Sequence, residues 1–91
     1  MLADVVEVRP LEGYQLFIRF EDGVQGVVDV AALVRFEGVF APLREPAEFR
    51  RVAVHQELGV VYWPNGADLD PDVLHARLSG KPISVAAPIP A

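Results

Sequence analysis

The stretch Tyr14-Gln15-Leu16-Phe17-Ile18-Arg19-Phe20-Glu21-Asp22-Gly23-Val24-Gln25-Gly26-Val27-Val28-Asp29-Val30 reads as two strands around a tight turn. A two-residue loop at Asp22-Gly23 would pair Glu21 with Val24 and Leu16 with Asp29, mixing polar and apolar residues on both faces. A three-residue loop, Glu21 to Gly23 with Gly23 left-handed, pairs Phe20 with Val24, Leu16 with Val28 and Tyr14 with Val30. Gln15 then meets Asp29, and Arg19 meets Gln25, on the opposite face. A one-residue slip would move the whole apolar set into water, so the three-residue loop is the expected one. Phe17 and Val27 are left as a small apolar pair on the polar face, either covered by another element or free to touch a partner.

Upstream, Val6 and Val8 alternate with Glu7 and Arg9 as in a half-buried strand, which Pro10 ends. Downstream, Ala31 to Val34 reads as one helical turn, and Val39-Phe40-Ala41-Pro42-Leu43 as an apolar segment packing on the sheet rather than joining it. Pro46 suits the first turn of a short helix with Phe49 facing inward. Val52 to His55 and Val60 to Trp63 form a second hairpin, after which Pro64-Asn65-Gly66-Ala67 breaks the pattern with turn residues. The final helix has Asp70 as its cap, Pro71 at its first position and Asp72 at the positive end of its dipole. Leu69 and Leu74 staple its start, Leu74 and Leu78 share its buried face, and Gly80 and Pro82 stop it. Residues 81–91 are rich in Pro and Ala and read as an extended tail, ordered only on another surface.

The chain has 91 residues and a formal charge of −5 from 13 acidic and 8 basic side chains. That length holds one domain, and a hydrophobic share of 52% means that it folds. No apolar run reaches the ~20 residues that span a bilayer, so no membrane partner is expected. Cysteine is absent, which removes disulfides and thiolate chemistry and fits a reducing cytoplasm. The acidic balance argues against nucleic acid as a partner of the isolated chain.

The run Val60-Val61-Tyr62-Trp63-Pro64-Asn65-Gly66-Ala67-Asp68-Leu69-Asp70-Pro71 resembles the signature of a bacterial family known as domain of unknown function 2442. Phe20-Glu21-Asp22-Gly23 before a strand ending in Asp29, then Phe40-Ala41-Pro42-Leu43, then Phe49, match its pattern upstream. The resemblance covers Val5 to Leu78. It implies a compact α+β domain of several strands and short helices. Members of the family occur alone or fused to a helix-turn-helix domain, and some are similar to the small partner in gene pairs that look like toxin–antitoxin modules. The family brings no established catalytic residues. Only a short tail follows Gly80 here, so sequence-specific DNA binding by the chain itself is not expected.

The acidic cluster Asp68, Asp70 and Asp72 is the most chemical-looking feature. Alternating aspartates suit a hard cation, but Val73 stands where a calcium loop needs glycine and Ser79 where it needs glutamate. The structural alternative is that Asp70 caps, Asp72 complements the dipole and Asp68 bonds turn amides. Trp63 and Asn65 form a corner that either packs or contacts a ligand. His55 and His75 lack zinc-pair spacing and read as rim residues. Arg50-Arg51, near Arg44, is the one positive concentration, either a solvated face or a contact for an acidic partner. No glycine-rich phosphate loop is present.

The expected architecture is α+β, with residues 1–80 forming one domain: a mostly antiparallel sheet of about five strands packed with short helices. The expected function is a noncatalytic protein-interaction or regulatory module, the antitoxin-like half of a two-gene pair, with no catalytic residue, metal or cofactor. Its partner would be a protein, first of all the adjacent gene product, or a second copy of the chain. The competing expectation is a ligand-binding or metal-binding domain or enzyme using Trp63, Asn65, Asp68 and Asp70. Phe17 and Val27, with those four, are the candidate contact residues.

Overall fold

A computed structural model describes residues 3–79. Strands β1 (Val5–Pro10), β2 (Gln15–Phe20) and β3 (Gln25–Asp29) form one antiparallel sheet in that order. Strands β4 (Ala53–His55), β5 (Val60–Tyr62) and β6 (Asp68–Leu69) form a second. Helices α1 (Val30–Leu33) and α2 (Pro46–Phe49) are single turns, and α3 (Pro71–Ser79) is the longest. Two 3-10 segments, Glu12–Tyr14 and Gly38–Arg44, complete the described chain. The fold is α+β, but the single sheet of about five strands is corrected to two three-stranded sheets. The two meet where the Val5 amide donates to the Gly59 carbonyl at 2.9 Å. β1 is irregular immediately beyond Val5, where its register against β2 shifts.

The central hairpin has the register that its apolar pattern dictates. Leu16 faces Val28, Phe17 faces Val27, and Arg19 faces Gln25. Leu16, Ile18 and Phe20 are fully buried, so β2 supplies the floor of the core. Val61, Trp63 and Leu69 from the second sheet, with Val30, Leu43, Phe49 and Leu74 from the helical segments, close over it. Asp29 caps α1, its Oδ1 accepting from the Ala31 amide at 3.0 Å.

Two expectations are corrected nearby. Val6 does not point inward: the β1–β2 register shifts between Val5 and Glu7, so Val6 bulges out, 44% exposed, and Val5 takes the core position. Tyr14 does not pair with Val30, which begins α1. Instead Tyr14 adopts a left-handed backbone at φ 67°, outside the strand. Its hydroxyl donates to the Arg44 carbonyl, and its ring meets Phe36 at 4.9 Å and Phe49 at 5.3 Å. These tertiary contacts outweigh the local cost of the backbone.

The sixth strand, Asp68–Leu69, is absent from the expected elements; it follows the Pro64–Ala67 turn and arises from a loop built like the first one. In the β2–β3 loop the Phe20 amide donates to Val24 at 2.8 Å, and the Gly23 amide to Phe20 at 3.0 Å. In the β5–β6 loop the Trp63 amide donates to Ala67 at 2.9 Å, and the Gly66 amide to Trp63 at 3.0 Å. Gly23 has φ 94° and Gly66 φ 97°. Asp22 Oδ1 accepts from Val24, and Asn65 Oδ1 from Ala67, both at 3.1 Å. Each is a three-residue loop ending in a left-handed glycine, which keeps the strands in register. Nothing lies within 4 Å of where a Cβ would stand on either glycine, so an added methyl group is penalised by the backbone alone. Gly23→Ala and Gly66→Ala are therefore expected to lower unfolding free energy by similar amounts, about 1–2 kcal/mol each, read from urea midpoints.

Candidate functional site

The Trp63–Asp70 corner is assembled by the β5–β6 loop. Trp63 is 1% exposed, its Nε1 donates to the Phe49 carbonyl at 2.8 Å, and its ring lies 5.8 Å from that of Phe49. The indole is thus an internal tie between the second sheet and α2 rather than a surface platform. Asn65 is exposed, yet both ends of its amide are used: Oδ1 closes its own loop, and Nδ2 donates to the Val39 carbonyl at 2.8 Å. Asp70 Oδ1 accepts from the Asp72 amide at 2.9 Å and so caps α3. Asp68 lies exposed on β6 and bonds no turn amide among the described residues; Asn65 has that role. The loop thus separates Asn65 from the cluster and engages it elsewhere.

Asp68 and Asp70 remain neighbours at the rim of a shallow groove of about 170 Å³, with Leu33, Val34, Leu69 and Val73 among its walls. Among the described residues, no three His, Asp or Glu side chains gather so as to hold a metal ion. A larger groove, about 330 Å³, is lined by Leu11, Tyr14, Pro46, Phe49, Arg50 and Glu12. The sequence reading did not find it, because it depends on the left-handed turn at Tyr14.

Both histidines are engaged at hairpin turns. His55 Nδ1 accepts from the Leu58 amide at 3.2 Å, and the ring stands edge-on to Tyr62. His75 projects from α3 onto the β2–β3 loop, where Nε2 lies 2.8 Å from Asp22 Oδ2 and the ring meets Phe20 at 4.8 Å. The hydrogen bond from His75 is the main reason that the Asp22 carboxyl lies below its ordinary 3.8; the Val24 amide lowers it further. The residues are 53 apart in the chain, and no local pattern announces them as a pair.

Phe17 and Val27 do come together. They are directly opposite on β2 and β3 and face away from the core; Phe17 is half-buried and Val27 is 51% exposed. The Arg9 guanidinium lies 4.6 Å from the centre of the Phe17 ring. Glu7 binds both Arg9, at 3.1 Å, and Arg19, at 2.9 Å. Two guanidinium groups share one carboxylate there, so an otherwise acidic chain has a locally cationic rim beside an apolar patch.

The family described as "Protein of unknown function (DUF2442)" matches residues 5–79. No curated protein and no solved structure matches the chain. Among the described residues, no helix is long and apolar enough to cross a membrane.

The Asp22–His75 contact has a defined pH signature. Because folding lowers the carboxyl's pKa, its stabilisation is complete above 3.8 and disappears as pH falls through the lower folded value. Asp22→Asn, which keeps an acceptor for Val24, is expected to melt below the wild type at about pH 6, with the gap closing in acid below the ordinary carboxylate range. Thermal melts of both proteins across that interval test this; a gap that persists unchanged would contradict it.

Proposed function

The chain belongs to the family described as protein of unknown function (DUF2442), and from that premise we propose that it is a noncatalytic protein-interaction or regulatory module. The observation that carries this reading is the outer face of the first sheet. Val27 and Phe17 give it an apolar centre, and Arg9, Arg19 and Glu7 give it a polar rim, the general arrangement of a small contact surface. The opposite reading needs polar groups free to converge on a substrate. Trp63, Asn65 and Asp70 are instead engaged in holding α2, the Gly38–Arg44 segment and α3.

The partner is a protein that presents an apolar side chain to Val27 and a carboxylate to the arginines. The first to test is the product of the adjacent gene, toward which this chain would be the antitoxin-like half of a pair in a reducing cytoplasm. Co-purification with that product is expected, and Val27→Glu should weaken binding roughly tenfold, in the range of a moderate hot spot. A strictly monomeric chain that retains no partner overturns the reading.

The groove beside Asp68 and Asp70 favours a second reading, a small ligand or cation at that corner. Millimolar Mg²⁺ or Ca²⁺ would then raise the melting temperature, and Asp68→Ala would abolish the rise. An unchanged melting temperature retires it.

A further inference from the structure

Asn65 is the only asparagine in the sequence, and Gly66 follows it. An asparagine before glycine is open to attack by its own backbone, because glycine has no Cβ to hinder its nitrogen and leaves the chain free to turn. In that reaction the deprotonated Gly66 nitrogen adds to Asn65 Cγ, and the bond from Cγ to Nδ2 breaks. Ammonia leaves with the proton that the backbone nitrogen gave up, and a five-membered succinimide ring remains. Water then opens the ring at either carbonyl, giving aspartate or its β-linked isomer. One water is consumed and one ammonia released, with no change of oxidation state.

The β5–β6 loop engages every group that this reaction needs. The attacking Gly66 amide donates to the Trp63 carbonyl at 3.0 Å. Asn65 Oδ1 accepts from the Ala67 amide at 3.1 Å, and the departing Nδ2 donates to the Val39 carbonyl at 2.8 Å. Attack requires an amide nitrogen released from Trp63 and a side chain that swings away from Val39. Solvent is already at hand: Asn65 is exposed, and nothing lies within 4 Å of where a Cβ would stand on Gly66. Asp22 before Gly23 lacks the same reactivity near neutral pH. His75, and after it the Val24 amide, favour its ionised carboxyl, and a carboxylate is a poor electrophile.

We infer that Asn65-Gly66 is a self-modification site held latent by the fold, which deamidates only when the β5–β6 loop opens and thereby releases the segment Gly38–Arg44. The aspartate product keeps an oxygen for Ala67 but sets its second oxygen against the Val39 carbonyl, with no hydrogen between them. The β-linked product adds a backbone methylene to the loop and displaces Trp63 against Ala67. Both products add one negative charge and lose the tie to Val39, so each converted molecule records that its loop has opened. The inference does not rest on the proposed function.

Intact-mass measurement on the full chain tests this, since a single asparagine carries the signal. In mildly alkaline buffer at body temperature, the chain unfolded in urea should gain about one dalton, and the folded chain should gain it at least roughly tenfold more slowly, as for a loop open a tenth of the time or less. Asn65→Gln, whose amide carbon lies one methylene further from the backbone nitrogen, should show neither gain over the same interval. The more acidic product, separated by anion exchange, should melt about 4–8 °C lower than the unconverted chain, the shift for losing roughly one hydrogen bond. Conversion as fast in the folded chain as in urea overturns the inference, and so does a product whose melting temperature is unchanged.

Discussion

Register is the constraint on which this small fold depends. Phe20 and Trp63, both fully buried, are the last inward-facing residues before three-residue loops, and each donates its amide to the first residue after the loop. If either loop gained or lost a residue, an aromatic ring would leave the core and polar side chains would enter it. With thirteen buried apolar residues in the core among the described residues, displacing one ring would remove a large part of it. The loops are therefore where two short sheets become one packed body.

That body is tied together by side chains reaching out of irregular segments. The Trp63 indole holds the carbonyl of Phe49, the Tyr14 hydroxyl holds that of Arg44, and the Asn65 amide holds that of Val39. Each bonds a carbonyl in or beside a short helical segment, and that of Phe49 accepts from the Val52 amide as well, at 3.3 Å. α1 and α2 are four residues long and have little intrinsic stability, so these attachments fix where they sit. The outer face of the first sheet is thereby left free of structural duties apart from its own arginine–glutamate pairs, which are exposed and contribute little to stability.

Much of this was legible in the residues. The alternation from Leu16 to Phe20, the glycine at 23 and the cap at Asp70 are local signals, and local physics decided them. The sixth strand was not read, because its two residues are too few to show an alternating pattern, although Pro64-Asn65-Gly66 repeats the logic of Glu21-Asp22-Gly23. The bulge at Val6 and the left-handed Tyr14 were not, because distant rings and a neighbouring strand decide them. For the candidate site, the capping role of Asp70 could be read from its neighbours. The burial of Trp63 against Phe49, the outward hold of Asn65 on Val39 and the meeting of Asp22 with His75 join residues far apart in sequence.

The two loops also divide their labour in a way that separates shape from attachment. In both, one oxygen of the middle residue forms the turn, while the other terminal atom reaches a remote element: an amide nitrogen toward a carbonyl at Val39, a carboxylate oxygen toward an imidazole at His75. Exchanging acid for amide at either position preserves the oxygen that the turn requires and alters the chemistry offered to the remote element. Such a chain can change how its outlying segments are fastened through single isosteric replacements, without redrawing a strand.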